Sequence, residues 1–576
     1  MRSAIRLGVL AAGVFVPVQA ASAQVTHEHG GQPPERLGNV HFPTSCNAQA
    51  QPRFERALAL LHSFWWEESG VAFRQVAEAD PSCLMAVWGQ AMTLRGNPFA
   101  GEPPKQAQQA GWELLAASAG MTGGTPRERD YLGAVRAYFT DYSTVPHGTR
   151  ALAYAQAMKA VAARYPEDTE ATIFYALAVA SNASTTDTSF SRQREVGKTL
   201  EPLFEKQPDH PGLAHYIIHS YDSPRLASLG VSAARRYAEI APAAYHAHHM
   251  PSHIFVRLGM WDETVASNIN SAEASRAMER QQGWKAMHNH RLHAMDYMVY
   301  GYLQRGRDAQ AREVNAEATA VTEVSPPDQL VSDYALASIP ARYALERNAW
   351  REAAALPVRP SKNFKASEAI THFARGLGAA RSRDLTAAQA EVTALAQLEE
   401  VLKQPQPYWA TLVRAQRLEV AAWVAYASGD LEGAIRQATE AANVEDGTDK
   451  HPVTPGHVLP AREVLADLLF EAGRYGEARS AYEAVLKKEP GRSRSTFGAA
   501  RAAELAGDQA AARTGYQRYL ELMQGGDGQR PEVAVAKKAV AARQVRRTGR
   551  RSVRGEGSPH PLPLTQSLPR SYSAIQ

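Results

Sequence analysis

A helix–turn–helix unit recurs at a fixed interval along this chain, and that period constrains the fold more than any other feature. "LFEAGRYGEARSAYEAVLKKEP" (469–490) reads as the end of one helix, a tight turn at Gly473, and a second helix closed by Pro490. "AELAGDQAAARTGYQRYL" repeats the form around Gly507, 34 residues later. "AYASGDLEGAIRQATEAA" does so around Gly429 and "FVRLGMWDETVASNINSA" around Gly259. Between the breaks, apolar residues fall at three- and four-residue spacing, and no alternating strand pattern stands out. A single hairpin of this kind cannot bury its apolar face, so neighbouring hairpins must stack.

A 34-residue period with a turn glycine, a small residue five positions on (Ala478, Ala512) and a closing proline resembles the tetratricopeptide repeat. The match is strongest over Leu418–Leu520, clear over Arg53–Arg95 and Gly212–Asn315, and weaker elsewhere; it spans most of Cys46 to about Val545. The resemblance implies an all-α, right-handed superhelical solenoid of antiparallel helix hairpins, roughly eight to ten of them. "LLHSFWWEES", "HYIIH", "HMPSHIF" and "HPVTPG" carry a nearer likeness to exported bacterial proteins of this repeat class. That likeness is specific for architecture and silent on activity, because folds do not fix functions.

Two H-x-x-x-H pairs, His215/His219 and His249/His253, are offset from each other by the same 34 residues. Residues four apart share a helix face. In proteins resembling tetratricopeptide arrays the first helices line the concave groove, so the resemblance points all four imidazoles inward. These four are the candidate metal ligands; neutral imidazole is the commonest one, and two such pairs on adjacent helices suit zinc, copper or nickel. His246 shares the face of His249, Asp222 is placed to orient or join the ligands, and His293, close to His290, starts the next hairpin after an insertion near 280–283. His62 belongs to the first hairpin, far along the array. With His246, Asp222 and His293 it completes the candidate ligand groove. His248 and His288 read as structural or exposed. A metal site, a metal-free ligand groove and plain packing all fit this pattern. The H-E-x-x-H motif of zinc proteases is absent, since Tyr216 stands where its glutamate would be.

The segment 443–463 is much longer than a usual helix–helix link, and Pro452, Pro455 and Pro460 stiffen it. Glu445, Asp446, His451 and His457 make it a second candidate site, because long ordered loops on rigid arrays often carry function. Phosphate-cradling glycine loops, exposed-serine turns and paired catalytic carboxylates are not evident.

The 576 residues carry a net charge of +4, too small a bias to suggest a nucleic-acid partner. Arg2 and Arg6, the apolar run 7–18 and "ASA" at 21–23 read as a secretory signal. No later segment has the length of apolar sequence that a membrane span needs. The expected organisation is a signal peptide (1–23), a flexible lead-in (24–45) containing His27 and His29, a helical-repeat segment with a histidine-rich groove (46–330), a second repeat segment (331–545) and a disordered basic, then Pro/Ser-rich tail (546–576). The expected location is the periplasm or extracellular space. There Cys46 and Cys83, at neighbouring ends of the first hairpin, are expected to pair, the alternative being two buried thiols. The function expected is a scaffold holding a protein or peptide partner in its groove, with a transition-metal site; the alternative is a metal-dependent hydrolase or oxidase using the same histidines.

Overall fold

The protein is described by a computed structural model that covers residues 35–184 and 187–549. The signal peptide, His27, His29 and positions 550–576 lie outside the described residues. From Arg36 to Gly549 the described residues form one unit, built almost wholly of helices.

The hairpins form where local chemistry supports them. Asp168, Asp384, Asp430 and Asp508 cap helix starts by accepting a backbone N–H three residues on. Thr125 and Glu128 form a reciprocal capping box. Gly429, Gly473 and Gly507 turn the chain at φ of 90°, 77° and 89°, a region that favours glycine. Helix Ala461–Glu471 then pairs with Tyr475–Lys488, and Ser493–Leu505 with Gln509–Leu522. Ala478 and Ala512 are buried at the close approaches, and Tyr482 and Tyr516 fill the space to the next element. Gly498 has to be small, because a Cβ there would stand 2.4 Å from the Tyr482 ring. The result is an all-α helical-repeat solenoid. The only strands among the described residues are the two-residue parallel pair Met287–His288 and Val324–Ser325, which flanks the helices Asn289–Gln304 and Asp308–Thr319.

Two features differ from the sequence reading. The assigned lead-in is packed from Arg36 on: Leu37 and Phe42 are buried, Phe42 against Phe54, Trp88 and Tyr131. His62 is not remote from the other histidines, because the first helix, Ala50–His62, packs on helix Pro211–Tyr221. The segment 443–463 is packed into the structure, as a loop with a role beyond linking two helices would be. Its Gly456 and His457 carbonyls accept from Arg342 (3.2 and 2.8 Å) and that of Gly456 also from Tyr334 (3.2 Å). The last repeats also touch the middle ones: Trp261 Nε1 donates to Gly491 O (2.8 Å) and Arg530 pairs with Asp308.

Cys46 and Cys83 form a disulfide with Cα atoms 4.8 Å apart, tying the chain before the first helix to the start of helix Leu84–Arg95. Among the described residues no helix is long and apolar enough to cross a membrane.

Candidate metal centre

Helices Pro211–Tyr221, Tyr245–His249, Pro251–Leu258 and Asn289–Gln304 turn their histidines toward one another. The four imidazoles of the two H-x-x-x-H pairs do not meet at a single point. They separate into two groups, and each pair recruits a third ring from another helix. His249 and His253 join His293; His215 and His219 join His246. Within each group the candidate ligand atoms lie within 4.8 Å of one another. The groups adjoin, with ring centroids 5.7 Å apart for His219–His253 and 5.8 Å for His246–His249.

In the first group the tautomers follow from the partners. Asp222 Oδ2 can only accept, so His253 Nδ1–H donates to it (2.9 Å). Asn268 gives its amide N–H to Thr264 O (2.7 Å), so its Oδ1 accepts from His249 Nδ1–H (2.6 Å). Both rings are therefore left with bare Nε2 lone pairs, and those two atoms face each other at 3.0 Å. Two lone pairs in that position repel unless a cation lies between them. A tetrahedral ion about 2.0–2.1 Å from each nitrogen would hold them about 3.3 Å apart. The Tyr297 hydroxyl reaches His253 Nε2 only at 3.4 Å.

In the second group His215 Nδ1–H donates to the His62 carbonyl (2.6 Å), leaving its Nε2 bare, 3.1 Å from His246 Nε2. His246 Nδ1 and both ring nitrogens of His219 are buried with no hydrogen-bond partner. A neutral buried polar group left unpaired costs about 1–3 kcal/mol. Phe64 and Phe99 cover this group, with ring centroids 4.3 Å from His215 and 4.2 Å from His219. Phe64 adopts φ of 53° to do so.

A third group, His62, Glu170 and His210, has metal-like spacing but is closed. Glu170 accepts from His62 Nε2 (3.0 Å) and His210 Nε2 (2.8 Å). The Tyr216 hydroxyl and the Leu213 amide occupy the remaining nitrogens. Burial would raise the Glu170 carboxyl, but the two histidines hold it far below the usual range.

The imidazoles of the two open groups are neutral. Burial pushes His215 down to about 3 and holds His219, His246, His249 and His293 well below the usual value, each also opposed by its neighbours. Burial lowers His253 too, despite Asp222. Asp222 stays ionised: burial opposes this, but Lys450 Nζ (2.7 Å) and Arg257 Nε (2.8 Å) outweigh it. In His215, His249 and His253 an outward N–H is anchored and the other nitrogen's lone pair is turned inward, the orientation that outer partners impose on metal-ligating imidazoles.

These rings do not line an open groove as the repeat class implied. His215, His246, His249, His253 and His293 are all buried, because the first hairpin and the long loop fold over them. Lys450 joins that loop to Asp222, and Arg257 bridges Asp222 and Asp449. His290 lies beside His246 (5.5 Å), and His248 Nε2–H donates to Pro242 O (2.9 Å). His288 is buried against Tyr245.

In the loop, His451 stacks on Trp409, and Glu445 accepts from Ala461 N (2.9 Å) near His457. Asp446 pairs with Arg462 and Lys488. Glu445, Asp446 and His457, with Arg257 and Lys450, line a cavity of about 310 Å³. Burial pushes Glu445 up to about 8. Sequence reasoning missed Asn268 and Glu170, and did not place His246 and His293 as the third rings of the two groups. The sequence puts His246, by its three-residue step to His249, and His293, near the start of its helix, in the candidate ligand groove.

No family model matches the chain, and no curated protein matches it in sequence. Several solved helical-repeat structures are similar in outline. Yeast Tom70 is 10% identical, with 86% of this chain and 97% of that chain covered and a TM-score of 0.32. A human IFIT1 dimer with m7Gppp-AAAA is 11% identical (76% and 90% covered, TM-score 0.35). The APC/C hetero-tetramer Cut9–Hcn1 is 12% identical (86% and 89% covered, TM-score 0.29). At such scores the likeness is one of stacked helical hairpins and says nothing of the site.

Proposed function

We propose that this chain is a metal-binding helical-repeat protein in which His249, His253 and His293 hold a transition-metal ion. The observation that carries the reading is the pair of deprotonated Nε2 atoms facing each other at 3.0 Å, each fixed by an outward hydrogen bond. An all-imidazole set suits copper, zinc or nickel, and three ligands leave a further position for water or another ligand. Asp222 and Asn268 orient the ligands. The Cys46–Cys83 disulfide supports an oxidising compartment, in keeping with export. To test the reading, full-length protein is stripped with chelator, dialysed against each metal and assayed by mass spectrometry. Wild type should retain at least one ion per chain. His253→Ala should lose it while keeping its helical circular dichroism. Wild type that emerges metal-free from every dialysis would end the proposal.

A second reading is partner binding, a common use of repeat solenoids. It is favoured by the 310 Å³ cavity beside the long loop, where Arg257, Lys450 and Lys488 stand with Asp446. Charges of both signs there suit a peptide end better than an apolar ligand. Titration calorimetry with a random peptide pool, before and after Lys488→Glu, tests it; heats that the substitution leaves unchanged count against this pocket.

A further inference from the structure

The second histidine group is not needed for the site just proposed, and packing does not explain it. Had His215, His219 and His246 served only to fill space, their ring nitrogens would have found partners, as those of His62 and His210 did in the closed group. One internal hydrogen bond, from His246 Nε2–H to the bare His215 Nε2, is the most the group can make for itself. It still leaves His246 Nδ1 and both nitrogens of His219 buried and unpaired. Buried polar groups are otherwise nearly always paired. A ligand that accepts lone pairs from several imidazoles at once is a metal ion, and the spacing within the group fits one.

We propose that His215, His219 and His246 hold a second transition-metal ion beside the first, making a two-ion, all-imidazole centre, and that cuprous copper suits it best. The proposal rests on the reading of the first group as a metal site. The choice of ion follows from charge. The ligands are neutral, and the charged groups around them cancel: Asp222 and Asp449 are paired with Arg257 and Lys450. Two dications would bring four uncompensated charges into a buried space; two cuprous ions bring half of that, and the cost of burying charge rises steeply with its size. Copper is also among the metals for which imidazole is a good ligand. Phe64 and Phe99 close the second group from the first-hairpin side and hold water away from it.

The test is an anaerobic titration of full-length apoprotein with Cu(I), against the chromophoric chelator bicinchoninate. It is carried out in a His27→Ala/His29→Ala background, so that the histidines near the N-terminus do not count. The expected result is two copper ions per chain, with X-ray absorption showing nitrogen-only ligation at both. His219→Leu/His246→Leu should hold one, and so should His249→Leu/His293→Leu. A stoichiometry of one in the parent would overturn the second site while leaving the first standing. A stoichiometry of zero for Cu(I), Zn(II) and Ni(II) alike would overturn both. The parent titration depends on no substitution in the cluster, so a variant that fails to fold leaves the test intact.

Discussion

The C-terminal repeats and the histidine-rich middle both bury polar side chains between stacked helices, and they treat them in opposite ways. In the C-terminal half Glu463 is fully buried, and its oxygens accept from Arg492 (2.8 and 2.9 Å), Arg494 (2.9 Å) and the Ser495 hydroxyl. Arg492 also pairs with Glu346 (2.7 Å), and Arg494 with Asp467 (2.5 Å). Every charge in this cluster is answered from within the chain. In the middle, His215, His249 and His253 are anchored on their outer nitrogens while their inner nitrogens face other imidazoles, and His219 has no partner on either nitrogen. The first arrangement is what a fold builds to hold itself together. The second leaves polar atoms that the fold itself does not satisfy, which is why we assign it to a bound metal.

That contrast can be broken by substitution, starting with the largest effect. Glu463→Ala leaves Arg492 with Glu346 and Arg494 with Asp467 but removes the carboxylate they share, and should cost about 3–5 kcal/mol in urea unfolding, with metal content per folded chain unchanged. A loss of metal in that variant would mean that the two regions are not separable.

Acid should weaken the metal-free protein next. His451 and His457 are both pushed down to about 3 by burial, so between pH 6 and 4 the unfolded chain binds protons that the fold refuses. Stability is then full above the unfolded value of about 6.5 and falls as pH drops, by about 1.4 kcal/mol per pH unit for each histidine. His451→Phe should flatten the curve by one such increment; an unchanged slope would show that this ring takes up its proton in the folded state.

Asn268→Ala removes the acceptor that fixes the His249 tautomer. It should weaken metal binding about 10–100-fold in competition titrations and leave the fold in place. An unaltered affinity would show that His249 needs no anchor.

The smallest effect is the most telling. His219→Leu replaces an unsatisfied imidazole with an apolar group and should leave metal-free stability within about 1 kcal/mol of the parent, or raise it. A loss comparable to that of Glu463→Ala would place His219 among the structural residues.

The repeat architecture was legible because it is periodic: the turn glycines Gly429, Gly473 and Gly507, the small residues Ala478 and Ala512 and the fillers Tyr482 and Tyr516 each recur where the stacking needs them. The H-x-x-x-H pairs were legible for the same reason. Their division into two groups was not, because each third ring comes from a different helix: His246 turns back to His215, and His293 crosses from the next hairpin. Nor was the cover. His62 and Phe64 lie some 150 residues from His215, and Lys450 lies farther still. Nothing in a local pattern says that a solenoid will fold its first hairpin and a late loop over its own middle. The long loop was recognisable by its prolines, but its role in clamping Asp222 depends on that closure.

The central claim is that the inward imidazoles await a metal, and anomalous X-ray scattering from crystals loaded with copper tests it most directly. The account predicts difference peaks at the absorption edge among His249, His253 and His293, and among His215, His219 and His246, with none at the satisfied trio of His62, Glu170 and His210. Full occupancy at that trio or at surface sites, with no density among the two open groups, would contradict it.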